Sequence, residues 1–124
     1  MIENKEFFTG LNGVTENDIK EAEKRLDVRF SDEYKMLLTK YGIWSFEGHE
    51  FVGISKSKRL NVVDTTEKEK SLNGNALKGL YVLEVTGIDG IVIWQSNEGD
   101  IYRTVGKSKP KKLNTSLSEY IKNC

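Results

Sequence analysis

The sequence predicts an α+β fold in which N-terminal helices pack on an antiparallel β-sheet and a further helix closes the chain. Three observations predict this fold. Helical periodicity dominates residues 14–44 and returns near the C-terminal end. Strand-like runs rich in Val, Ile and Tyr lie between residues 80 and 105. The joins between those runs are short, which indicates antiparallel neighbours, because parallel strands need long crossover connections.

Two helix starts can be recognised from their capping residues. Thr15 suits the N-cap of the first helix, and Asp18, three residues later, completes a version of the capping box. Ser31 is the expected N-cap of the second helix, and Gly42 supplies the residue that ends it. Apolar residues fall on one face of each helix at helical spacing: Ile19, Ala22 and Leu26 in the first, Tyr34, Leu37, Leu38 and Tyr41 in the second.

The remaining elements follow from turn residues and β-propensity. Glu47–His49 is the predicted turn of a first hairpin, and a third helix is expected at Val62–Lys70. The three later strands are predicted at Leu80–Thr86, Ile91–Gln95 and Ile101–Val105. Gly106–Leu113 is predicted to be a basic loop, after which Thr115 or Ser116 caps the last helix.

Length and composition predict a single domain over residues 1–124. A chain of 124 residues buries roughly two-thirds of its unfolded surface, and 37% hydrophobic residues supply a core. Lys+Arg and Asp+Glu both number 19, so no net charge steers the chain toward nucleic acid or membrane. The first residues lack the apolar segment of a signal peptide, and no apolar run is long enough to span a bilayer. A cytoplasmic location is expected, and the single cysteine, Cys124, has no partner for an internal disulfide.

No motif predicts catalysis, a metal or a cofactor. His49 lies near Glu47 and Glu50, but one histidine without a second His or Cys is a weak metal motif, and a solvated turn explains it better. The segment from Gly106 to Ser108 imitates the end of a phosphate-binding loop, but Ile101 stands where that loop requires glycine. We therefore expect a protein that is not an enzyme.

A cluster of lysines follows the last predicted strand. Without interleaved aromatic residues it is a poor nucleic-acid motif, and a solvated loop is the favoured interpretation. Weak contact with an acidic protein patch is the alternative. The cluster consists of Lys107, Lys109, Lys111 and Lys112.

Aromatic residues in the strands allow two interpretations. Trp94 and Tyr102 fall on the more aromatic face of the predicted sheet, and the favoured interpretation is that both faces are covered. The alternative is a partly open surface on which they anchor a partner, because Trp and Tyr dominate interface hot spots. Trp44, directly after a helix, has the same two interpretations, of which the structural one is favoured.

Several segments together resemble the SUKH superfamily, which is named for yeast cell-wall assembly regulators and is abundant in bacteria. The matching pieces occur in the same order over most of the chain, although Ser31 replaces a proline that is usual in the family. They are Glu23–Phe30 (EKRLDVRF), Ser31–Leu38 (SDEYKMLL), Asn61–Thr65 (NVVDT), Leu80–Gly90 (LYVLEVTGIDG), Ile91–Tyr102 (IVIWQSNEGDIY) and Ser116–Ile121 (SLSEYI).

This resemblance implies a binding module. Many bacterial SUKH proteins are implied to be immunity proteins that neutralise a cognate polymorphic toxin by covering its active site. A non-catalytic regulatory scaffold, like the eukaryotic relatives, is the alternative, and for it we would expect long disordered flanks. A small enzyme is the third possibility. The oligomeric state stays open.

The expected partner is a protein toxin, bound without cofactor, nucleic acid or membrane. Turn position and aromatic content select the predicted contacts: Trp44, Glu47, His49, Asp89, Trp94, Glu98 and Tyr102.

Overall fold

The computed structural model describes residues 14–46, 49–73, 77–106, 108–114 and 116–122. The predicted α+β fold is confirmed, with N-terminal helices, antiparallel sheets and a C-terminal helix. The helices are α1 (Glu16–Leu26), α2 (Asp32–Tyr41), α3 (Val62–Asn73) and α4 (Leu117–Lys122), with a short 3₁₀ helix at Lys58–Leu60. The strands are β1 (Trp44–Phe46), β2 (His49–Phe51), β3 (Tyr81–Val85), β4 (Ile91–Gln95), β5 (Ile101–Val105) and β6 (Lys111–Asn114).

The helix boundaries follow the predicted capping residues. The Thr15 hydroxyl accepts from the Asp18 N–H, and the Asp18 carboxylate accepts from the Thr15 N–H, which completes the capping box. Ser31 caps α2 by accepting from the Tyr34 N–H. Gly42 ends α2 with φ +76°, a conformation that an L-residue with a Cβ rarely adopts. Local sequence therefore determines where the first two helices begin and where α2 ends.

Four strands form the main sheet in the order β3-β4-β5-β6, with antiparallel neighbours throughout. The prediction of a loop over Gly106–Leu113 is wrong in part. Lys111–Asn114 pairs with β5 as a fourth strand. Lysines and Pro110 gave this segment the composition of a loop. Such residues are also common on edge strands, because they discourage unwanted pairing with other chains.

Both faces of the main sheet are covered at its centre. Trp94 and Gln95 are neighbours on β4, so their side chains point to opposite faces, and both are fully buried. The favoured interpretation of a sheet covered on both sides is thus confirmed. On one face, Tyr81 and Gln95 contact the N-cap of α2 through Ser31.

The outer edge of β3 is closed by two other parts of the chain. The Val82 N–H donates to the hydroxyl of Thr66 on α3 at 2.9 Å. The Leu83 carbonyl accepts from the N–H of Val52, which follows β2, at 2.8 Å. Because an exposed edge is a template for pairing, these contacts remove one of the two edges of the sheet.

Gly53 allows the chain to pass close to α2 beside this closed edge. A Cβ atom at this position would lie 1.8 Å from the Gly42 carbonyl oxygen, which is much shorter than a van der Waals contact, so a larger residue would clash with the backbone. The backbone of Gly53 also bonds the end of the 3₁₀ helix and the start of α3: its N–H donates to the Leu60 carbonyl, and its carbonyl accepts from the Val62 N–H. Among the described residues, no helix is long and apolar enough to cross a membrane.

Candidate partner-binding surface

The two predicted tryptophan contacts lie in the core. Trp44 is 2% exposed and packs between the rings of Tyr34 and Phe51. Trp94 is fully buried, and its indole N–H donates to the Thr104 hydroxyl at 3.0 Å. Neither indole is accessible to a partner on this fold, so the structural interpretation applies to both.

The first hairpin places His49 against a buried carboxylate. Glu47 lies outside the described residues. The His49 side chain is partly exposed, and its Nδ1 lies 2.7 Å from Oε2 of Glu84. The hydroxyl of Tyr120 on α4 donates to the other oxygen of Glu84 at 2.8 Å. Glu84 therefore joins β2, β3 and α4, and both of its oxygens have partners.

Sequence reasoning did not identify Glu84 as a contact point. The sequence does place an acidic residue within the apolar run of β3, which is unusual. Its partners could not be predicted, because they lie 35 and 36 residues away in the chain. The buried carboxylate is 4% exposed, and its hydrogen bonds satisfy the rule that buried charges need partners. Among the described residues, no group of three or more His, Cys, Asp and Glu side chains is arranged to hold a metal ion.

The other three predicted contacts lie at separate places: two at opposite ends of the main sheet and one within β5. Asp89 lies in the turn between β3 and β4, where its φ is +51° and its side chain is exposed. Glu98 is exposed in the turn between β4 and β5, which is at the opposite end of the sheet. Tyr102 is partly buried on β5, opposite Trp94 on one side and Lys112 on the other. The structure therefore does not bring the predicted contacts into one site.

Exposed apolar side chains lie at the end of the main sheet that carries Asp89. Among the described residues, five large apolar side chains are exposed, and three of them lie at the same end of the main sheet. Val85 ends β3 opposite Val92, and Ile88 lies in the following turn. Val105 ends β5 opposite Ile91, so the register points Val85 and Val105 to opposite faces at this end of the sheet. The exposed fractions of Val85, Ile88 and Val105 are 44%, 63% and 43%. We call Val85, Ile88 and Val105 the apolar end.

The turns that carry the apolar end are held in fixed conformations. The Thr86 hydroxyl donates to the Ile91 carbonyl and accepts from the Ile88 N–H. The Gly106 N–H donates to the Gly90 carbonyl at 3.1 Å, which joins this turn to the one after β5. The apolar side chains are thus presented on a defined backbone.

A network of buried hydrogen bonds joins the main sheet to the N-cap of α2. The Tyr81 hydroxyl donates to Oε1 of Gln95 at 2.7 Å and accepts from the Ser31 N–H at 2.9 Å. Burial raises the pKa of the Tyr81 phenol, and burial also raises the pKa of the Tyr34 phenol well above its ordinary value. Each hydrogen-bonding atom of this network has a partner, so the network stabilises the contact of β3 and β4 with the N-cap of α2.

An exposed ion pair lies on the surface next to the first hairpin. The Arg59 guanidinium donates to a carboxylate oxygen of Glu50 at 3.0 Å. This hydrogen bond lowers the pKa of the Glu50 carboxyl and raises that of Arg59. Both side chains are well exposed, so the pair contributes little to stability.

The fold and the surface together define a class of protein: an α+β domain with a buried aromatic core and exposed apolar side chains at one end of its main sheet. The particular family follows from a direct match. Residues 16–121 match a family model described as SMI1-KNR4 cell-wall, SUKH_6. The chain belongs to this family, and the resemblance to the SUKH superfamily is confirmed. No curated protein matches the chain.

Proposed function

We propose that this protein is an immunity protein, which binds a cognate bacterial toxin in the cytoplasm and covers its active site without itself catalysing a reaction. Membership of the SUKH family supports this proposal at the level of protein–protein interaction. The observation that carries it is the apolar end, where exposed apolar side chains lie around a turn of fixed conformation, because exposed apolar surface often marks an interaction site.

The geometry suits tight inhibition for a physical reason. A pre-formed surface loses little conformational freedom on association, so more of the contact free energy appears as affinity. The turn hydrogen bonds around Thr86 and Gly90 supply this order at the apolar end. Blocking an active site needs an interface of roughly 1,600 Å², so the apolar end would form its centre and charged side chains its rim.

Asp89 is the predicted contact best placed for this role. It lies in the same turn as Ile88 and is exposed beside it. His49, Glu98 and Tyr102 are accessible to a smaller or larger extent but lie elsewhere, so contact through them remains a prediction. A regulatory scaffold would use the same apolar end for a partner that is not a toxin.

The experiment that tests the proposal is affinity capture of the tagged chain from its native host at high salt, under conditions in which toxins are expressed. Co-purifying proteins are identified by mass spectrometry. We expect one stoichiometric partner that carries a toxin domain, and expression of our chain should restore growth to cells producing that domain. Capture of a stoichiometric partner without toxic activity would contradict immunity and favour the scaffold. Absence of any stable partner would contradict both.

A matched pair of variants locates the contact. Ile88→Asp places a charge in the apolar end, whereas Leu72→Asp places the same charge at a 57% exposed position on α3. We expect Ile88→Asp to weaken partner binding at least tenfold and Leu72→Asp to leave it unchanged. Equal affinity of the two variants would remove the apolar end from the interface.

A further inference from the structure

One edge of the main sheet has no paired strand among the residues that the structure describes. β6 (Lys111–Asn114) is the last strand in the order β3-β4-β5-β6. Among the described residues, no backbone hydrogen bond joins β6 to any element other than β5. In an antiparallel strand, backbone groups alternate in direction, so about half of those in β6 point away from β5.

The side chains along this edge are basic. Lys109, Lys111 and Lys112 are exposed, and no acidic residue occurs between Val105 and Asn114. Lys112 contacts Asp100 at 3.4 Å, whereas no ion pair involves Lys109 or Lys111 within the part of the chain that the structure describes. Within the described part of the chain, outward-facing backbone donors and acceptors of β6 without a strand partner therefore lie beside lysines without an ion pair.

We propose that the outer edge of β6 binds an extended, acidic segment of the toxin as an added strand. The inference rests on the proposed function, because it assigns the segment to the toxin. In strand addition the main-chain hydrogen bonds supply affinity and the side chains supply selectivity. The lysines would select acidic residues, since opposite charges on neighbouring strands attract and like charges repel.

The charge pattern favours this partner over a second copy of the chain. Two β6 edges placed side by side would oppose lysine to lysine, which is unfavourable. Lysine and proline on an edge strand are a common protection against such self-association. That protection does not act against an acidic strand, so the edge of β6 is selective rather than closed.

The apolar end extends the same surface. Val105 ends β5 next to the turn that leads to β6, and its N–H donates to the Ser108 hydroxyl at 2.8 Å. A segment that pairs with β6 and continues beyond Lys111, which lies opposite Arg103, would approach Val105 at the end of β5. Strand addition thus links charge recognition at β6 to apolar contact at Val105.

The probe is a synthetic seven-residue peptide with glutamate at alternate positions and threonine or valine between them. Binding is followed by amide chemical shifts and amide exchange of the ¹⁵N-labelled full chain. We expect shifts centred on residues 109–114 and slowed exchange of at least one β6 amide. Affinity should fall as salt is added, because exposed charges are screened.

Two altered peptides separate strand pairing from charge attraction. A peptide with the same charges but N-methyl groups on alternate amides cannot pair through that edge, and we expect its affinity to fall at least tenfold. A peptide with lysine in place of glutamate should not bind measurably. Equal binding of the methylated peptide, or shifts centred away from β6, would overturn the inference.

Matched variants of the chain complete the test. K109E/K111E reverses the charge of the edge, and K56E/K78E makes the same change of net charge at exposed loop positions outside β6. We expect the first variant to lose at least tenfold in affinity for the acidic peptide and the second to retain affinity. Equal affinity in both would overturn the inference.

The captured partner distinguishes this inference from the proposed function. If a toxin is captured equally well by the parent chain and by K109E/K111E, immunity stands and strand addition at β6 is wrong. If the acidic peptide binds β6 but the captured partner is not toxic, the edge binds as inferred, its assignment to a toxin is wrong, and immunity fails.

Discussion

The two edges of the main sheet differ in their backbone hydrogen bonds. The edge of β3 is closed by the Thr66 hydroxyl and the Val52 N–H, whereas the edge of β6 has no backbone partner outside β5 among the described residues. The closed edge lies beside tightly packed backbone at Gly53, and the open edge carries exposed lysines. The difference indicates that one side of the sheet serves stability and the other is available for binding.

The largest expected effect comes from disturbing the closed edge at Gly53. Gly53→Ala would place a Cβ 1.8 Å from the Gly42 oxygen, so the backbone beside Val52 must move. We expect a loss of about 3 kcal/mol or more in the free energy of unfolding, measured by urea denaturation.

Gly79→Ala is the matched control. Gly79 has φ +81°, but a Cβ there would meet nothing within 4 Å, so the cost is backbone strain of about 1–2 kcal/mol. Equal losses at Gly53 and Gly79 would show that the close approach to Gly42 is unimportant.

A somewhat smaller effect is expected from removing the phenol that ties β3 to α2. Tyr81→Phe leaves the Ser31 N–H and Gln95 without this partner, which should cost about 3 kcal/mol at neutral pH. Because burial raises the pKa of the Tyr81 phenol, the unfolded chain loses this proton at a lower pH than the folded chain.

The sign of the pH dependence follows from that difference. The contribution is fully present below the ordinary tyrosine value of 10.0 and is lost as pH rises above it. Urea denaturation between pH 7 and 11 should show stability falling above pH 10, less steeply in Tyr81→Phe than in the parent chain. The same slope in both would assign alkaline unfolding to other groups, such as the buried phenol of Tyr34.

A third substitution tests the hydrogen bond that closes β3. Thr66→Val keeps the shape of a fully buried side chain but removes the acceptor of the Val82 N–H. We expect a loss of about 1–2 kcal/mol in the free energy of unfolding. Thr39→Val, at an exposed hydroxyl on α2, should change it by less than about 0.5 kcal/mol. A neutral Thr66→Val would mean that the edge is closed by packing alone.

The smallest effect on stability is expected at the open edge. K109E/K111E alters two exposed lysines without a described ion pair, so the free energy of unfolding should change by less than about 0.5 kcal/mol. The same denaturation assay measures it. A large loss would show that these lysines stabilise the fold, and the division between the two edges would disappear.

Structure that depends on residues close together in the chain could be predicted from the sequence. The caps at Thr15 and Ser31 and the stop at Gly42 are local signals, and all three were confirmed. β6 was missed because lysine and proline suppress the alternation that identifies a strand, and its pairing with β5 is a tertiary contact.

The candidate surface was less predictable than the fold. The buried position of Trp94 and the bond between His49 and Glu84 depend on segments that are distant in the chain. The apolar end also depends on sheet topology, because Ile88 and Val105 come to the same end of the sheet only after β3, β4 and β5 pair. Asp89 was predicted as a contact from the composition of its turn. That composition does not show that exposed apolar side chains lie at the same end of the sheet.

Residue-by-residue amide hydrogen exchange tests the division between the two edges most directly. It is measured by NMR on the free chain and on its complex with the captured partner. We predict that the Val82 amide of β3 exchanges slowly in both states, whereas at least one amide of Lys111–Asn114 exchanges rapidly in the free chain and slowly in the complex. Exchange of the β6 amides that is unchanged by the partner, or already as slow as at Val82 in the free chain, would contradict the account.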